Sequence, residues 1–126
     1  MDEEDPPTGP AVYLLVLEFD RPHDVSVGSL GTIHIGEGRY VYVGSAKRGL
    51  WGRVRRHLGE PERKRWHIDH ISHLADRRTV FWKEYDPGLE CGSARSLGEI
   101  HEGVKGFGSS DCGCVSHLFF ISPFEA

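Results

Sequence analysis

Residues 40–58 read YVYVGSAKRGLWGRVRRHL, and the rest of the chain is arranged around this stretch. Tyr40, Val41, Tyr42 and Val43 are aromatic or β-branched, residue types that fit a pleated, half-buried surface, so a strand is expected. Gly44-Ser45-Ala46 is expected to end it, because Gly and Ser favour turns. Leu50, Val54 and Leu58 then recur at steps of four and form the apolar stripe of a helix over 49–58. Gly59 and Pro61 stop that helix. Arg53, Arg55, Arg56 and His57 flank the stripe. A tyrosine hydroxyl, a turn of small residues and several guanidinium groups thus fall in one strand–turn–helix unit. A phosphodiester calls for such chemistry: a hydroxyl near phosphorus and a planar fork of donors on its oxygens. By residue pattern alone the stretch is equally a sheet tyrosine followed by a solvated basic helix face.

Upstream, AVYLLVLEF at 11–19 is a nearly unbroken apolar run, as in a strand covered on both faces. Residues 20–28 form a polar connection. Thr32-Ile33-His34-Ile35 is short and β-rich, and Gly36-Glu37-Gly38 turns it into the Tyr40 strand, which predicts a hairpin between the two. Downstream, a second helix is expected over 67–75 with Ile68, Ile71 and Leu74 or Ala75 inward. A strand follows over 79–85, then a turn at Pro87-Gly88 and a third helix from Leu89 to about His101. A Gly/Ser loop over 106–114 leads to a last strand over 115–121. The expected fold is α/β, a small, mainly antiparallel sheet flanked by about three helices. Residues 1–10 (MDEEDPPTGP) are acidic and Pro-rich, a composition that does not support a packed core, and residues 11–126 are expected to form one domain.

A chain of 126 residues has room for one core. No apolar run reaches the ~20 residues a membrane helix needs. The acidic start resembles neither a signal nor a transit peptide. Three cysteines, an odd number, do not suggest a secreted disulfide framework, so a reducing cytoplasm is expected. The net charge of −4 conceals a separation. Between Lys47 and Arg78 lie ten lysines and arginines against four acids, a basic stripe able to contact phosphates with salt-sensitive affinity.

Tyr42-Val43-Gly44-Ser45, with Arg53 and then His57 four residues later, resembles the second half of the GIY-YIG endonuclease signature. Ala11-Val12-Tyr13 stands where the first half is expected, with alanine in place of glycine. The 32–38 segment lies in the gap between the halves, and one additional residue separates Tyr42 from Arg53. The wording Arg65-Trp66-His67-Ile68-Asp69, Glu90-Cys91 and Phe107-Gly108-Ser109-Ser110-Asp111-Cys112 is similar to a small, mostly archaeal branch of these proteins, sometimes fused to endonuclease-III-type glycosylases. The resemblance implies a metal-dependent endonuclease that hydrolyses DNA phosphodiesters, with repair or processing of damaged or unusually structured DNA as its setting. It implies one Mg²⁺ or Mn²⁺ held by Glu90, with Tyr13, Tyr42, Arg53 and His57 completing the catalytic set. Ser45, Arg56, Trp66 and His67 are expected to face the DNA.

Other readings attach to the same residues. Strand tyrosines commonly belong to the core, and Glu90 suits the N-terminal dipole of its helix. A non-catalytic module would use the basic stripe and Trp66 to bind nucleic acid, with the tyrosines stacking on bases. Cys91, Cys112, Cys114 and His117 together have the composition of a Cys₃His structural zinc site, which would make the chain a zinc-stabilised interaction domain. His67, His70 and His73 recur at steps of three and read mainly as a polar helix face.

Overall fold

The computed structural model describes residues 10–46, 67–104, 106–107 and 116–122. β1 (Ala11–Phe19) is the long central strand. It pairs antiparallel along its full length with β4 (Gly38–Ala46), from Ala11 opposite Ala46 to Phe19 opposite Gly38. Its other edge pairs antiparallel with β5 (Arg77–Glu84). β7 (Leu118–Ser122) borders β4, and the two-residue β6 (Glu102–Gly103) borders β7. The five-stranded order is β5-β1-β4-β7-β6. A separate two-stranded ribbon joins β2 (His23–Ser26) to β3 (Thr32–Ile35). The mixed α/β architecture with an antiparallel sheet is thus as expected.

Strand alternation divides the molecule into two layers. Alternate β1 residues Ala11, Tyr13, Leu15, Leu17 and Phe19, with Tyr40 and Tyr42 of β4 and Leu118 of β7, face the larger core. Val27 and Ile35 from the ribbon segment, Ile68, Ile71 and Phe107 close it. The opposite face carries Val12, Val43 and Phe119, covered by Ala94, Leu89 and Leu97 of α1 (Leu89–Gly98). Each fully buried large apolar side chain contributes about 1.5–3 kcal/mol. The exposed ion pairs at the far end of the sheet, Arg39 to Glu18 at 3.1 Å and Arg77 to Asp20 at 2.7 Å, contribute about 0–1 kcal/mol each. Burial, and not these pairs, holds the strands together. It also raises the Tyr40 hydroxyl above its ordinary pKa, opposed by a backbone hydrogen bond with Gly36 and assisted by the Glu102 charge.

Several sequence expectations are corrected. The described residues contain one α-helix, not about three. The first expected helix, over 49–58, lies outside them, as do residues 1–9. The second, over 67–75, is instead two short 3₁₀ turns, His67–His70 and Ser72–Leu74. Its bonds close at three residues, Ile71 N–H to Ile68 O and Leu74 N–H to Ile71 O. Residues 68, 71 and 74 recur at steps of three, which a turn of 3.0 residues aligns on one side. The third helix ends at Gly98, short of His101.

The predicted hairpin between 32–35 and the Tyr40 strand does not form. β3 pairs with β2, which lies in the expected polar connection over 20–28, while β1 and β7 occupy the two edges of β4. β4 also continues through Gly44-Ser45-Ala46, because Ala11-Val12-Tyr13 supplies a partner for each of them. The Tyr13 ring lies over Gly44. A Cβ at Gly44 would stand 2.6 Å from Tyr13 Cζ and Oη, closer than atoms can approach.

Gly44→Ala should therefore destabilise by about 1–3 kcal/mol, the usual cost of overpacking. Urea denaturation measures it. In a Tyr13→Ala background the same substitution should cost much less; an equal cost there would show that the ring is not what excludes the methyl group.

Candidate functional site

The first site element is the start of α1. Pro87-Gly88 breaks the chain after β5, and Gly88 adopts the left-handed region, with φ of 88°, a conformation glycine accepts at little cost. Glu90 then falls in the first helical turn, where the helix dipole favours a carboxylate. The Ser45 hydroxyl donates to Glu90 Oε1 at 2.7 Å. His117 Nδ1 lies 3.1 Å from Glu90 Oε2 and 3.2 Å from the Val43 carbonyl oxygen. A carbonyl can only accept, so Nδ1 carries the hydrogen and Nε2 is the ring's other valence site. His117 is 1% exposed and Glu90 is 31% exposed at its side chain. One carboxylate is thus gripped from two strands, β4 and the entry to β7, yet still reaches solvent.

The second element lies across β4. Tyr13 and Tyr42 have ring centroids 6.3 Å apart, tilted by 48°. Phe107 meets Tyr42 edge-on at 6.2 Å and His67 at 5.5 Å. Tyr13, Tyr42 and Phe107 are buried, and His67 is half-buried. The tyrosines therefore pack in the larger core, whereas Glu90 lies with the α1 layer. Gly44 under the Tyr13 ring and Ser45 under Glu90 are consecutive residues whose side positions point to opposite faces.

The expected site residues accordingly divide into three sets. Ser45, expected to face DNA, instead holds Glu90. Tyr42 and His67 both meet Phe107, and Tyr13 packs beside Tyr42. Arg53, Arg56, His57, Trp66, Cys112 and Cys114 lie outside the described residues. Of the proposed zinc set, Cys91 is half-buried on α1, and His117 directs Nδ1 at Glu90. Among the described residues no group of three or more His, Cys, Asp or Glu side chains is arranged to hold a metal ion. Sequence reasoning missed the link from His117 to Glu90 and the place of Phe107 between the tyrosines and His67. A signal for the first was present: 117 and 119 alternate onto one face of the last strand, and Phe119 is plainly a core residue.

The match of the chain to known families covers residues 12–126, and the family is described as domain of unknown function DUF123. The chain belongs to the DUF123 family. No curated protein and no solved structure matches it. In this DUF123 domain no helix among the described residues is long and apolar enough to cross a membrane.

If Ser45 grips Glu90 as the 2.7 Å distance indicates, a double-mutant cycle of Ser45→Ala with Glu90→Gln should give a coupling free energy of about 1 kcal/mol in urea denaturation. Additive effects would mean that the contact contributes nothing in solution.

Proposed function

We propose that this DUF123 domain is a metal-dependent DNA endonuclease of the GIY-YIG type, acting on damaged or unusually structured DNA. One observation carries the proposal. Tyr13 and Glu90, which the signature separates by many positions in sequence, meet consecutive residues of β4, Gly44 and Ser45, and Tyr42 lies two residues before Gly44 on the same strand with its ring 6.3 Å from that of Tyr13. The tyrosine Oη above Gly44 and the Glu90 carboxylate at Ser45 thus belong to the same end of the β1–β4 pair.

The donor chemistry of Glu90 suits a hard divalent cation. Mg²⁺ commonly takes one or two carboxylates and completes its shell with waters and substrate phosphate, so a single glutamate can serve. The group reaches solvent, with 31% of its side chain exposed. Glu90 would hold Mg²⁺ or Mn²⁺, which would act as a Lewis acid toward the phosphate oxygens. Ser45 and His117 fix the direction of the carboxylate. Tyr13 or Tyr42 would position or deprotonate the attacking water, with His57 as a relay for its proton. Arg53 lays two donors on the phosphate as negative charge develops there. Backbone contacts of this kind respond to DNA shape more than to sequence.

A second reading has one observation in its favour. Glu90 and the tyrosines approach β4 from opposite faces, which suits a binding module whose aromatic residues and basic stripe contact nucleic acid without chemistry. Two substitutions separate the readings. Glu90→Gln keeps size and one acceptor oxygen but removes the charge, so Mg²⁺-dependent cleavage should disappear while DNA binding persists; cleavage that survives across a Mg²⁺ titration would dismiss Glu90 as the ligand. Arg53→Lys keeps charge but loses the planar fork. Cleavage should slow at least ~10²-fold with DNA affinity changed only a few-fold, and the same swap at Arg63 or Arg65 should leave cleavage nearly unchanged. Equal, small effects at all three positions would favour the binding module.

A further inference from the structure

β5 is an edge strand, and one face of it alternates rings with charge. Of the large hydrophobic side chains exposed among the described residues, two are aromatic, Phe81 at 58% and Tyr85 at 36%. Lys83, also exposed, stands midway between them. Leu14 is opposite Phe81 and Val12 opposite Lys83. The Tyr85 N–H bonds to the Pro10 carbonyl at 3.2 Å and carries this register one pair past the end of β5. Phe81, Lys83 and Tyr85 therefore share a face, while Glu84 alternates onto the other.

That face is the one on which Glu90 lies. Val12 is opposite Lys83 on one side and Ser45 on the other, so the three form one row across the sheet. Ser45 holds Glu90. With strands ~4.8 Å apart, the backbones of Lys83 and Ser45 are ~10 Å apart. A shallow groove of about 180 Å³ is lined here by Phe81 and Lys83 of β5, Val12 and Leu14 of β1, and Leu89 and Ser93 of α1. It is smaller than the ~300–1,000 Å³ of sites that enclose a ligand, so its occupant lies across it.

The spacing and the charge select that occupant. Phe81 and Tyr85 are four residues apart, ~13 Å along a strand that rises ~3.3 Å per residue. Bases stacked in a duplex rise only ~3.4 Å per nucleotide. Bases seated on both rings are therefore unstacked from each other, as in a single strand. A single strand alternates planar bases with phosphates, as this face alternates rings with an ammonium group. Lys83 makes no hydrogen bond or ion pair among the described residues. A purely apolar partner would cover that charge without pairing it, at a desolvation cost, whereas a phosphate pairs it.

We propose that Phe81, Lys83 and Tyr85 form a platform for a single-stranded segment flanking the phosphate at Glu90. A base stacks on each ring, and Lys83 meets a phosphate between them. The proposal deepens the nuclease reading and rests on nucleic acid being the substrate. It places the unpaired part of an unusually structured DNA on the β5 side of Glu90.

The test is fluorescence anisotropy of a labelled decathymidylate with the full chain and no divalent metal. Phe81→Leu keeps an apolar side chain but removes the ring, and should weaken binding at least ~5-fold. Phe81→Trp keeps a ring and should bind as tightly as the natural chain. Lys83→Gln should weaken binding and reduce the slope of log affinity against log salt by ~0.7. A duplex of the same length should respond little to Phe81→Leu. Unchanged single-strand affinity in both Phe81→Leu and Lys83→Gln, or equal losses on single strand and duplex, would overturn the proposal. A dimer in sedimentation that Phe81→Leu dissolves would also overturn it, by assigning the rings to a protein contact. Single-strand binding that depends on Phe81, in a protein that cleaves no DNA, would keep the platform and remove the nuclease reading; cleavage with binding indifferent to Phe81 and Lys83 would do the reverse.

Discussion

The Tyr13 ring over Gly44 is the contact on which the rest of the arrangement depends. It locks the one register in which β1 and β4 pair from Ala11–Ala46 to Phe19–Gly38. A slip of one residue would exchange the two faces of β4. Tyr42 would then leave the larger core, Val43 would leave the helix layer, and Ser45 would turn away from Glu90. A glycine is needed at the crossing because the ring occupies the space of its side chain. The same ring brings the hydroxyl of the first strand to the end of the second, so one steric fact serves both the sheet and the candidate site.

The Glu90 grip follows from this register. Ser45 and the Val43 carbonyl lie on β4, His117 leads into β7, and Glu90 opens α1. The three elements meet because β4 is central and its neighbour β7 continues the ladder through the Val43 N–H to His117 O bond at 2.8 Å. A buried imidazole that donates to both a carbonyl and a carboxylate has little rotational freedom. Glu90 is therefore oriented before any ligand arrives, which is how a solvent-accessible carboxylate acquires a defined direction.

What could be read in the sequence was local. The bounds of β1 coincide with its apolar run, and α1 begins where Pro87-Gly88 requires a break. The 67–74 segment was misread because eight residues with apolar positions at steps of three satisfy periods of 3.0 and 3.6 almost equally. Gly44 read as a turn former, since a glycine beneath an aromatic ring on another strand has no local mark. The partner of β3 and the approach of His117 to Glu90, 27 positions apart in sequence, are choices made by the sheet order, which residue pattern does not encode. The candidates Tyr13, Tyr42, Ser45 and Glu90 rest on their motif, and their division between two faces follows from strand parity and the true extent of β4.

The sheet's two rims also bear on how the protein behaves at high concentration. Unpaired strand edges recruit other chains, and proteins commonly blunt them with short strands or charge. At one rim β6 is two residues long, which gives an incoming strand almost nothing to template on. At the other, β5 carries Arg77, Arg78, Lys83 and Glu84, and an incoming strand would have to desolvate these charges. The sheet thus resists self-assembly at one rim by brevity and at the other by charge, and only the second defence changes as salt is raised.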